Sequence, residues 1–142
     1  MAITSTSMVR RGLLVLPFAA LGWVAINRDD QSLVVPEVDL ERAKELFDAG
    51  VLTLDVRKSE SYAYRHIVGA MLMPLATLQA GVPATLAYAK SLQILVYCGD
   101  GLTIGPEATH ILNQAGFAGA VNLKPGIEGW AAAGYPIKKA AA

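Results

Sequence analysis

One cysteine, Cys98, is all that the 142 residues contain, so no disulfide can form within the chain. An all-cysteine metal site is excluded by the same count. With only His66 and His110 besides, a closed structural zinc site lacks ligands. No metal or other cofactor is expected. A surplus of charge is also missing: twelve basic and twelve acidic residues cancel to zero, which argues against nucleic acid as a partner. What the chain has in excess is apolar residues, 54% of the total with a mean hydropathy of +0.40.

The charge is unevenly placed. Residues 1–28 hold Arg10, Arg11 and Arg28 and no acid, whereas 29–142 hold nine basic and twelve acidic side chains, a net −3. The fifteen residues from Gly12 to Ile26 carry no charge. Basic residues ahead of an apolar run form the pattern of an export signal or membrane anchor. As a helix the run reaches about 22 Å, against about 30 Å of hydrocarbon in a bilayer. That length suits a cleavable signal and is short for a span. No clear Ala-x-Ala cleavage site follows, however, and Trp23 would suit a membrane interface. The arginine pair loosely resembles a twin-arginine signal, and an organellar transit peptide or a buried N-terminal helix also fits. Residues 1–28 are therefore read as a signal or anchor segment, contacting the membrane through 12–26 if uncleaved. The expected location is membrane-anchored or exported, extracytoplasmic in a bacterium.

Residues 29–36 read as a linker, and 37–137 as one domain followed by a tail, 138–142. Asp39 is a suitable N-cap for a helix over 40–49, ended by Gly50. Short apolar strands are expected at 51–54, 71–73, 94–97 and 121–123. Helical segments are expected at 59–64, over 75–91 with a break at 81–83, at 106–115 and at 127–132. This alternation predicts an α/β fold with a mainly parallel central sheet and helices on both faces, preceded by the N-terminal hydrophobic helix.

The chemistry concentrates where the third apolar strand ends. Cys98-Gly99-Asp100-Gly101-Leu102-Thr103 leaves that strand and enters a helix. Ligands of open α/β sheets bind beyond the carboxyl ends of strands. A glycine-rich turn there can aim backbone N–H groups inward, and the helix N-terminus adds positive partial charge. A thiol in such a cradle is favoured as the thiolate. It can carry a group covalently but, being alone, cannot run a dithiol exchange. The plainer alternative is a small buried hydrophobe at a strand end.

The chain resembles the rhodanese family of sulfurtransferases over roughly residues 37–137. The resemblance rests on Leu54-Asp55-Val56-Arg57, Tyr62, His66-Ile67-Val68-Gly69-Ala70 with Pro74, and Val96-Tyr97-Cys98. It continues through Gly116-Phe117, Val121-Asn122-Leu123, Gly126-Ile127-Glu128-Gly129-Trp130 and Gly134-Tyr135-Pro136-Ile137. It implies a rhodanese-like fold and a Cys98 thiolate that takes a sulfane sulfur from a thiosulfate- or mercaptopyruvate-class donor. The persulfide would be held by the loop of Gly99, Asp100, Gly101, Leu102 and Thr103 and discharged to cyanide or a thiol. The loop string is similar to the Cys-Gly-Ser-Gly-Val-Thr of mercaptopyruvate sulfurtransferases, with Asp100 in place of serine.

Other residues keep two readings. Arg57 either charges the rim of the site or pairs with Asp55, a structural support. Arg65, replacing the family's usual glycine, either charges the entrance or lies on a solvated surface. His66 either handles protons or is structural. Ser61 stands where the family generally has an acid. Gly99 and Thr103 replace the arginines of many single-domain rhodaneses, and a carboxylate near Cys98 opposes both thiolate formation and a dianionic donor. Phosphatases of related fold need arginine six residues after the cysteine; here Ile104 stands there. The alternative function from another class is a binding or scaffolding subunit of a membrane protein complex with little turnover.

Overall fold

The computed structural model describes residues 33–141. The expected signal or anchor, its hydrophobic helix and its membrane contact through 12–26 lie outside the described residues. Among the described residues no helix is long and apolar enough to cross a membrane.

Chain order runs β1 (Glu37–Val38), α1 (Leu40–Asp48), β2 (Leu52–Asp55), α2 (Ser59–Tyr64), β3 (Arg65–Ile67), β4 (Met71–Leu72) and α3 (Leu75–Ala80). A 3₁₀ segment (Ala84–Ala89) follows, then β5 (Ile94–Tyr97), α4 (Ile104–Gln114), β6 (Ala120–Leu123), α5 (Gly126–Ala132) and β7 (Ile137–Lys139). Five strands pair in parallel in the order β1-β6-β5-β2-β4, and β3 pairs with β7 antiparallel in a separate ribbon.

The central strand β5 shows why the sheet is covered on both faces. All four of its residues are buried, and successive side chains of a strand point to opposite faces. Ile94 and Val96 enter a core with Leu54, Leu78, Leu86, Leu112 and Phe117, under α3, the 3₁₀ segment and α4. Leu95 and Tyr97 enter the opposite core with Leu46, Ile67, Leu123, Ile127 and Trp130, under α1 and α5. Cys98 continues the alternation and falls on the α4 side.

Helix α1 begins where expected: the Asp39 carboxylate accepts the Arg42 N–H at 2.8 Å, satisfying one of the helix's orphan donors. The break expected at 81–83 separates α3 from the 3₁₀ segment. The domain reaches past the expected 37–137 at both ends. Val35 is buried and the Pro36 carbonyl accepts the Asn122 N–H at 2.9 Å, so these linker residues pack with the sheet. Lys138 and Lys139 pair with His66 and Arg65 in β7, which places the start of the expected tail in a strand.

Candidate functional site

β5 delivers Cys98 to the carboxyl edge of the parallel sheet, and the chain turns there into α4. The thiol is free and 1% exposed. The Gly101 N–H donates to Cys98 Sγ at 3.2 Å. Asp100 Oδ1 accepts the Leu102 N–H at 2.9 Å and lies 3.8 Å from Sγ. One carboxylate thus both closes the turn and stands beside the sulfur. Among the described residues, the amides of 99, 100, 103, 104 and 105 have no protein acceptor. They lie in the loop and in the first residues of the eleven-residue α4, whose N-terminus adds positive partial charge next to the thiol.

Two glycines make this geometry possible. Gly101 has φ +77°, and a Cβ there would collide with the Lys124 carbonyl. Gly105, in the first turn of α4, has no room for a Cβ against Asn122 Oδ1, and that atom would also lie 3.0 Å from Sγ. The other side of the loop is anchored by α5, whose Ile127 and Glu128 amides donate to the carbonyls of Cys98 and Gly99 at 2.9 and 3.0 Å.

The remaining sequence-derived candidates separate into those at the loop and those away from it. Leu102 is exposed, and with Asp100 it lines an open groove of about 580 Å³ shared with Asp39, Leu40, Glu41, Lys124 and Pro125. Thr103 is exposed and offers no side-chain cap to α4. Arg57 turns back on the buried Asp55, with Nε and Nη2 donating to its two oxygens at 3.0 and 2.6 Å, and Nη2 also reaches the Arg65 carbonyl at 2.7 Å. The Tyr97 hydroxyl donates to Asp55 Oδ2 at 2.7 Å and accepts the Ile67 N–H at 3.0 Å. Burial, followed by the Asp55 charge, pushes the Tyr97 hydroxyl well above its ordinary pKa. Asp55 is therefore the hub of a buried network that ties β2, β5 and β3 together. His66 stacks on the Tyr62 ring at 3.8 Å, with Nδ1 2.8 Å from the Tyr62 carbonyl. Neither it nor Arg65 makes a hydrogen bond or ion pair with the loop among the described residues.

Sequence reasoning did not single out Asn122, Gly105 or Tyr97 as site-forming. Asn122 is fully buried on β6, and its Nδ2 donates to the Gly101 carbonyl at 2.9 Å. The only signal for it was a polar residue between apolar neighbours in a buried strand. Among the described residues no group of three His, Cys, Asp or Glu side chains could hold a metal.

Known proteins are similar to this chain in sequence and in fold. The uncharacterized protein YibN of Escherichia coli K12 is 28% identical over 131 residues, covering 85% of this chain and 90% of its own. The thiosulfate sulfurtransferase GlpE of Coxiella burnetii is 33% identical over 82 residues, 58% of this chain and 73% of its own. The chloroplastic thiosulfate sulfurtransferase 16 of Arabidopsis thaliana is 30% identical over 118 residues, 77% of this chain and 98% of its own. Among solved structures, a rhodanese-like domain from Anabaena sp. superposes with a TM-score of 0.61 at 33% identity, covering 75% of this chain and 80% of that one. The Rhodanese-like domain model matches residues 39–133, the span that runs from the α1 cap through the cysteine loop to the end of α5, and the chain belongs to the rhodanese-like domain family.

Proposed function

We propose that this protein is a sulfurtransferase that carries a sulfane sulfur on Cys98. The observation that carries the reading is the buried Cys98 Sγ at the end of β5, facing the Gly101 N–H at 3.2 Å within a loop rich in unpaired amides. The thiosulfate sulfurtransferases among the relatives support the same activity.

The loop's donors stabilise negative charge on sulfur. The Cys98 thiolate attacks the sulfane sulfur of a donor such as thiosulfate, forming a Cys98 Sγ–S bond. The donor's S–S bond breaks and sulfite leaves with the electron pair. Cyanide or an acceptor thiolate then attacks the outer sulfur, and the Sγ–S bond returns its electrons to Sγ. Each step exchanges one bond for another, so no external oxidant is needed. With mercaptopyruvate, the C–S bond breaks instead and the pyruvate enolate takes up a proton.

The donor is inferred to be of the mercaptopyruvate class. Asp100 Oδ1, 3.8 Å from Sγ, repels dianionic thiosulfate more than a monoanion. The similarity of Cys-Gly-Asp-Gly-Leu-Thr to the mercaptopyruvate-type loop supports the same choice.

The test is intact-mass spectrometry of the full chain after incubation with each donor, followed by thiocyanate release on adding cyanide. Gain of one sulfur atom, absent in Cys98→Ser, is the expected result. A wild-type protein that gains no sulfur and releases no thiocyanate would sink the reading.

A further inference from the structure

The contact between Gly101 and the thiol is held from outside the loop. Asn122 lies on β6 in register with Val96 of β5, which places it one strand over from the cysteine. Its side chain is fully buried, and Nδ2 donates to the Gly101 carbonyl at 2.9 Å. Gly101 is the residue with φ +77° whose own N–H meets Cys98 Sγ at 3.2 Å. A hydrogen bond from β6 therefore fixes the residue that faces the sulfur.

The other half of the amide is the informative one. Asn122 Oδ1 is the buried side-chain oxygen or nitrogen that lacks a hydrogen-bond partner among the described residues. It faces the Cα of Gly105, at the same point that Sγ approaches. An orphaned buried acceptor is unfavourable, and turning the amide over would set two oxygens against each other at Gly101. Packing alone would be served better by leucine, which has similar size and no acceptor to strand. Leucine cannot donate to Gly101.

We propose that Asn122 is the positioning residue of the sulfur site, acting on the Cys98 thiol through Gly101. The proposal rests on Cys98 as the sulfur carrier, but its primary readout is the ionisation of the thiol itself. Because Cys98 is the sole cysteine, its alkylation reports on that one group.

The experiment uses the full chain with Asn122→Leu and Asn122→Ala. It measures the melting temperature, the pH dependence of alkylation by iodoacetamide, and sulfur uptake from mercaptopyruvate. Asn122→Leu is expected to melt close to wild type, since it removes the stranded acceptor along with the donor. Its alkylation midpoint should rise by about one pH unit, the effect of losing an aligned N–H at a thiolate. Sulfur uptake near neutral pH should fall about tenfold in step with it. Asn122→Ala loses the donor and adds no charge beside the sulfur, so it should shift the midpoint upward as well; it carries the test should the leucine variant not fold. A wild-type midpoint in the folded variants overturns the proposal, whatever happens to the melting temperature, because that is the signature of a purely structural residue. If the midpoints shift but wild-type protein takes up no sulfur from any donor, the carrier reading fails while the Asn122–Gly101–Cys98 coupling stands.

Discussion

The Arg57 side chain lies against Asp55 with two hydrogen bonds, Nε to Oδ1 at 3.0 Å and Nη2 to Oδ2 at 2.6 Å, its backbone N–H adds a third to Oδ1 at 3.0 Å, and the Asp55 side chain has no exposure to solvent. A buried carboxylate left without its partner is costly, by about 3–5 kcal/mol. Arg57→Ala is therefore expected to lower stability by about 3 kcal/mol, seen as a reduced urea midpoint at unchanged slope. Arg57→Lys should recover only part, since an ammonium cannot reproduce the forked contact. An alanine variant with an unchanged midpoint and impaired sulfur uptake would instead place Arg57 in the reaction.

The same carboxylate makes a pH prediction. The Tyr97 hydroxyl donates to Asp55 at 2.7 Å, and burial with the neighbouring charge raises its pKa. In the unfolded chain a tyrosine ionises near pH 10. Below that, both states are protonated and the contribution is fully present. Above it, the unfolded state loses a proton that the folded state keeps, so stability falls as pH rises. Denaturation followed from pH 8 to 11 should show this loss, and Tyr97→Phe should remove one proton's worth of the slope. That variant also leaves the Ile67 N–H without its acceptor, a cost of about 1–3 kcal/mol at neutral pH. Equal slopes in the two proteins would refute the assignment.

Local signals in the chain were enough for four of the five strands of the parallel sheet, β2, β4, β5 and β6. The run Ile94–Tyr97 is apolar throughout because both of its faces are covered, and Asp39 caps α1 through its own side chain. The short strands β1, β3 and β7 were not legible, because two or three residues such as Arg65-His66-Ile67 carry no periodicity and pair with distant segments. Helix α4 starts two residues earlier than Pro106 suggested; proline fits its first turn, where the missing N–H would have no partner in any case. The cysteine loop could be read from its glycines. Asn122 could not, because its meaning depends on β6 lying beside β5, and neither does sequence reveal that Gly105 must clear both an amide oxygen and a sulfur.

Gly105 allows two opposing effects to be weighed. Inside a helix, alanine is favoured over glycine by roughly 0.8–1 kcal/mol. The added Cβ would strike Asn122 Oδ1 and approach Sγ to 3.0 Å, and overpacking of this kind costs about 1–3 kcal/mol. The steric term is the larger, so Gly105→Ala should lose about 1 kcal/mol on balance. Sulfur uptake should drop more sharply than stability, because the displaced atoms are the thiol and the amide that holds the loop. A variant that is more stable and takes up sulfur normally would mean that this space is not as tight as described.

Asp100 is where the donor class proposed for Cys98 can be tested. Its carboxylate accepts the Leu102 N–H and stands 3.8 Å from the thiol, and asparagine can keep the first contact through its side-chain oxygen while removing the charge. The repulsion removed acts twice on dianionic thiosulfate and once on monoanionic mercaptopyruvate. In Asp100→Asn the kcat/KM for thiosulfate should therefore rise about tenfold relative to that for mercaptopyruvate, on the scale of one charge at partly solvated distances. The alkylation midpoint of Cys98 should fall at the same time, since a negative neighbour no longer opposes the thiolate. Both effects should shrink as salt is raised, because Asp100 is only half-buried and its field reaches the donor partly through water. If the ratio of the two donors is unchanged by the substitution at low salt, the charge of Asp100 does not select the substrate, and the preference must come from the shape of the loop.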